Sequence, residues 1–84
     1  MKPIRFSRHA REQCVERGAE EHEVIEAIIK GTKETAKKGG TLYRANFQYN
    51  KTWNNQYYSI KQVAPVILES DDEIVVITVY TFYF

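Results

Sequence analysis

The stretch Glu73 to Phe84, EIVVITVYTFYF, constrains the fold more than any other part of this 84-residue chain. With the two-residue period of a strand, Val75, Ile77, Val79 and Tyr83 form one set and Ile74, Val76, Tyr80 and Phe82 the other. Both sets are apolar. A strand of that kind sits in the middle of a sheet, with hydrogen-bonding neighbours at its edges and cover on its faces.

The preceding residues supply the neighbours. Thr41 to Tyr49 alternates, with Tyr43, Ala45, Phe47 and Tyr49 on one face and Leu42, Arg44, Asn46 and Gln48 on the other. Thr32 to Lys37 reads as a short strand, and Lys37 to Gly40 (KKGG) as a turn. Asn50 to Asn55 is expected to be a polar loop that carries Trp53. Tyr57 to Val63 makes the next strand, Pro65 breaks or bulges it, Val66 to Leu68 resume it, and Glu69 to Glu73 is an acidic turn.

Cover comes from two helices. Ser7 reads as the N-cap of a helix over Arg8 to Arg17 that Gly18 closes in a left-handed conformation, after a lead-in in which Pro3 discourages helix at Lys2. Its apolar face is meagre, namely Ala10, Cys14 and Val15. The second helix, Glu21 to Lys30, buries Val24, Ile25, Ala27, Ile28 and Ile29 and is the anchor. Glu20, Glu21 and Glu23 complement its dipole at the start, and Gly31 stops it.

A chain of this length makes one domain, residues 1–84, with a thin core. The expected class is α+β: two N-terminal helices packed on a three- or four-stranded antiparallel sheet. Two helices cover one face. The other, with Tyr80 and Phe82, is either a partner surface, a homodimer contact through the sheet, or a face that curls around its own core.

Several functions are disfavoured. One cysteine excludes an internal disulfide, and Cys14 reads as a small buried apolar residue. His9, His22 and Cys14 lack zinc spacing, so no metal and no cofactor is expected. No apolar run is long enough for a membrane span or a secretory signal, so the expected location is the cytoplasm.

The net charge of +1 hides alternating blocks. Positive and negative residues number five and two over residues 1–17, one and four over 18–31, six and one over 32–61, and none and four over 62–84. If the two basic blocks converge, they form an anion-binding face. His9 among Arg8, Arg11 and Arg17 suits an anionic substrate, because guanidiniums hold phosphate oxygens while an imidazole moves protons. Arg44 and Lys61, expected on adjacent strands, can complete a cationic concavity for RNA. Metal-free attack of a ribose 2′-hydroxyl on the adjacent phosphate needs a base, an acid and charge stabilisation, roles open to His9, Arg17, Arg44, Lys61 and Tyr80. The alternatives are RNA binding without cleavage and a non-catalytic protein-interaction module.

His9-Ala10, Arg17-Gly18 eight residues later, the acidic-led second helix, Tyr43-Arg44 and Thr78-Val79-Tyr80 together resemble the bacterial domain of unknown function 4258 family. That family is similar to RelE/ParE/BrnT-type toxins. The resemblance implies a RelE/BrnT-like fold, a metal-independent endoribonuclease or toxin-antitoxin component, RNA as target and a protein antitoxin as partner. It points to His9, Arg17, Arg44, Thr78 and Tyr80, with His9, Arg17, Arg44 and Tyr80 as catalytic and Thr78 in RNA contact; the basic blocks add Arg8, Arg11 and Lys61 to that contact. The chain departs from the pattern at Gln13, where the family commonly has an arginine, and at Glu20, where it has a polar cap.

Overall fold

The computed structural model describes residues 2–84, which run β1 (Ile4–Phe6), α1 (Arg8–Arg17), α2 (Glu21–Lys30), β2 (Thr32–Thr35), a turn at Lys37–Gly39, β3 (Thr41–Trp53), β4 (Gln56–Glu69) and β5 (Ile74–Tyr83). The strands form one sheet in the order β1-β5-β4-β3-β2. All neighbours are antiparallel except β1 and β5, which are parallel. The class is α+β as expected, but the sheet is five-stranded and mixed rather than three- or four-stranded and antiparallel.

The extra strand is the lead-in. Ile4, Arg5 and Phe6 align with Ile74, Val75 and Val76, and Phe6 is buried in the core. Pro3 lies just outside, and its carbonyl accepts from the Ile74 N–H at 2.9 Å. Three residues are too few to show a period, which is why the sequence reads as a lead-in.

The long hairpin also exceeds expectation. β3 continues through Trp53, and Asn54 and Asn55 form a two-residue turn with φ of 50° and 66°. Both residues with positive φ is the type I′ geometry that matches strand twist, and asparagine tolerates it. Asn50, also left-handed at φ 50°, lies where the register slips between Gln48 and Lys51, so the expected loop is strand with a bulge. Pro65 does not break β4. It pairs with Val79 on the β5 side, while no partner is registered toward β3, the side where a proline has no N–H to donate.

A second irregularity reassigns β5. Val66 pairs with Thr78 but Ile67 pairs with Val76, so Ile77 is an extra residue and the alternation changes phase there. Ile74, Val76 and Val79 therefore share the helix-covered core, and Tyr83 pairs with Lys61 on that face. Tyr80 and Phe82, opposite Ala64 and Gln62, take the open face. The uninterrupted period expected from the sequence placed Val79 with Val75 and Ile77, and the bulge corrects that grouping.

The two helices span the expected residues, but Ile29, expected in the buried face of α2, is 54% exposed. Ser7 Oγ accepts from the Ala10 N–H at 3.0 Å, and Gly18 closes α1 at φ 75°. Ala10 and Cys14 join Val24 and Ile28 of α2 over Val63, Ile67, Ile74, Val76 and Val79. Val15 stays exposed, so α1 is held by a narrower stripe than expected.

Candidate functional site

The site is built where α1 crosses the outer edge of β5. Phe84 and Ile60 exchange both backbone hydrogen bonds, so the alternate residues Val79, Thr81 and Tyr83 turn their N–H and C=O groups away from β4. β1 has ended by then, and α1 takes its place. Arg17 Nη1 donates to the Val79 carbonyl at 2.8 Å, and the Thr81 and Tyr83 hydroxyls donate to the Arg17 carbonyl at 2.9 and 2.7 Å. Reaching round the strand edge, the Arg17 guanidinium lies 5.2 Å from the centre of the Tyr80 ring. Just over two turns earlier on α1, His9 Nε2 lies 3.5 Å from Thr78 Oγ1.

His9 with Thr78 and Arg17 with Tyr80 thus make two separate contacts between α1 and β5, although the partners are more than sixty residues apart in sequence. His9 and Tyr80 are exposed. Gln13, between His9 and Arg17 on the helix, is buried and donates to Glu16 at 3.4 Å. Its carbonyl oxygen has no partner among the described residues.

Beside these contacts, the open face forms a groove of about 330 Å³ lined by Thr35, Ala36, Lys37, Leu42, Val66, Thr78 and Tyr80. Its floor is apolar and its rim carries hydroxyls and one ammonium. Arg44 is on this same face, two strands from β5. Its Nη1 donates to Gln62 Oε1 at 2.9 Å, its Nε pairs with Glu34 at 2.6 Å, and its guanidinium lies 5.5 Å from the centre of the Phe82 ring. Arg44 also borders a larger hollow of about 460 Å³ at the opposite sheet edge, with Glu26, Lys30 and Asn46, where β3 outruns β2. Thr78 and Tyr80 line the smaller groove and not this hollow.

Lys61 does not join Arg44. It lies on the helix-covered face, 6% exposed, with Nζ donating to the Gly18 carbonyl at 2.9 Å and paired with Glu23 at 2.8 Å. The two residues sit on adjacent strands as expected, but strand parity sends them to opposite faces, so the concavity expected from both cations does not form. Glu23 also accepts from the Glu20 N–H at 2.9 Å, which ties the start of α2 to the sheet. Arg8 and Arg11 project elsewhere: Arg8 lies near Glu12 at 3.8 Å, and Arg11 pairs with Glu21 at 3.3 Å. Burial, followed by the charge of Glu21, pushes the Cys14 thiol up from its usual value, which suits a packing residue better than a nucleophile.

Sequence reasoning missed Lys37 and the hydroxyl of Thr35, which it read as turn and strand without chemistry. It also missed Glu34 as the partner of Arg44; the two-residue period of β2 against β3 was the available signal. Among the described residues no cluster of His, Cys, Asp or Glu stands ready for a metal ion, and no helix is long and apolar enough to cross a membrane. No family model, curated protein or solved structure matches this chain.

Proposed function

We propose that the protein binds RNA at the α1–β5 corner and cleaves it without a metal ion. The observation that carries this reading is the two contacts of α1 with β5, His9 with Thr78 and Arg17 with Tyr80, beside an open groove that Thr78 and Tyr80 line. His9 takes the proton from a ribose 2′-hydroxyl, whose oxygen forms a bond to the adjacent phosphorus. The bond from phosphorus to the 5′-oxygen breaks, and that oxygen receives a proton from the Tyr80 hydroxyl. The imidazolium proton then restores Tyr80, leaving a 2′,3′-cyclic phosphate and a 5′-hydroxyl. Arg17, with one N–H bonded to Val79, turns its remaining donors to the phosphate oxygens. Gln13 adds no charge to this side of α1, so the phosphate charge falls to Arg17. The motif resemblance to RelE/BrnT-type toxins supports a small protein antitoxin as partner.

The test is incubation of purified protein with mixed RNA in EDTA, beside His9→Ala, Arg17→Ala and Arg17→Lys. Loss of His9 is expected to slow cleavage by about 100-fold or more, the usual scale of a general base. Thermal unfolding of each variant separates lost chemistry from the lost Val79 bond. Cleavage unchanged in both alanine variants would sink the site. Salt-sensitive binding without cleavage in the unsubstituted protein would leave an RNA-binding protein only. A non-catalytic interaction module is the second reading, favoured by Tyr80 and Phe82 being 41% exposed on the uncovered face.

A further inference from the structure

We infer that the open face of the sheet is a stacking platform for unpaired nucleobases, so that the RNA recognised is single-stranded. The inference rests on the RNA reading above and adds the form of the substrate. Tyr80 and Phe82 stand two residues apart on the same face of β5, each 41% exposed. Two residues along a strand set their rings roughly 6.5 Å apart, a spacing that successive bases of an extended single strand can match.

An arginine guanidinium lies over each ring, Arg17 at 5.2 Å from the centre of Tyr80 and Arg44 at 5.5 Å from that of Phe82, so a base stacks on the other ring face or on the guanidinium itself. A backbone running along the rings therefore finds a cation near each base. Lys37 adds a third at the groove, whose floor of Leu42, Val66 and Ala36 can take the flat edge of a base. Glu34, an acidic side chain on this face, is already held by Arg44 at 2.6 Å. The surface is thus aromatic and net positive, which suits a phosphodiester chain with its bases turned out. An A-form duplex keeps its bases stacked inside and offers the rings no partner.

Fluorescence anisotropy with a short unstructured RNA strand and with its blunt duplex tests this, using the unsubstituted protein, Phe82→Ala and Phe82→Tyr. Phe82 is chosen because it has no part in the proposed chemistry. The single strand is expected to bind about tenfold tighter than the duplex, with Phe82→Ala losing about tenfold on the single strand alone and Phe82→Tyr keeping the affinity. Equal binding of both forms, untouched by Phe82→Ala, overturns the platform, while His9-dependent cleavage would still uphold the RNA reading. Absence of binding to either form overturns both. If Phe82→Ala converts a dimer to a monomer in sedimentation and leaves RNA binding unchanged, the face belongs to a second copy and the platform falls.

Discussion

Lys61 and Arg44 stand on neighbouring strands of one hairpin, in the same basic stretch of sequence, and do opposite work. Lys61 points into the helix-covered face, where its ammonium reaches the Gly18 carbonyl and Glu23 and joins the end of α1 to the start of α2. Arg44 points to the open face, where its side chain is 34% exposed and its partners are a carboxylate, an amide and a ring. Tyr83 and Tyr80 divide in the same way. Tyr83 packs among Tyr49, Trp53 and Tyr58 with ring centres 5.1 to 5.5 Å away, while Tyr80 faces the groove. One face uses cations and rings to close the fold, and the other leaves them available to a ligand.

The largest effect should come from the covered face. Lys61→Met strands Glu23 in a site where its side chain is only 11% exposed, and breaking a buried pair from one side costs about 3–5 kcal/mol. That is a large fraction of the ~5–15 kcal/mol that holds a domain together. Arg44→Ala, on the open face, should cost less than about 1 kcal/mol, because partly exposed pairs are screened. Urea unfolding checks both, and adding Glu23→Gln to Lys61→Met should recover much of the loss. Equal destabilisation by the two single changes would remove the distinction between the faces.

Parity also explains how much the sequence disclosed. The helix limits, the Ser7 cap, the Gly18 stop and the faces of Thr41 to Tyr49 follow from local rules, and all stand in the structure. The division of β5 did not follow. A bulge inserts one residue without a composition signal, so Val79 moves to the core and Tyr80 keeps company with Thr78 rather than Val76. His9, Arg17, Thr78 and Tyr80 were legible as residue types, through motif likeness. Their two contacts depend on the length of β1: it ends at Phe6, and α1 lies along the vacated edge, a contact no local pattern encodes.

The next effect separates crowding from backbone strain. Gly18 and Gly39 have nearly the same φ, 75° and 78°. A Cβ on Gly18 would stand 2.7 Å from both Trp53 Cζ3 and the Tyr83 hydroxyl, whereas one on Gly39 would meet nothing within 4 Å. Gly39→Ala should therefore cost only the left-handed penalty of about 1–2 kcal/mol. Gly18→Ala adds overpacking of about 1–3 kcal/mol on top of that. Thermal midpoints of the two variants check it, and matching midpoints would mean that the aromatic cluster yields freely.

The smallest effect belongs to solvent-exposed ion pairs. At the β1 end of the sheet, Lys2 meets Glu69 at 2.7 Å and Arg5 meets Glu73 at 3.0 Å. The hydrogen bonds from Lys2 and Arg5, aided by their charge, hold both carboxyls below the ordinary 4.5. A carboxyl whose folded value is depressed stabilises the fold above its unfolded value and loses that contribution as pH falls through the folded one. Stability should therefore decline slightly as pH drops from about 4.5 downward, in low salt. Roughly 1 M salt shortens the screening length to about 3 Å and should flatten that slope, because both pairs are open to water. Replacing Glu69 and Glu73 together by glutamine should flatten it likewise at low salt, while most of the Lys61→Met deficit persists in salt because that pair is largely buried. An acid slope as steep in the double variant as in the original protein would place the titrating groups elsewhere on the molecule.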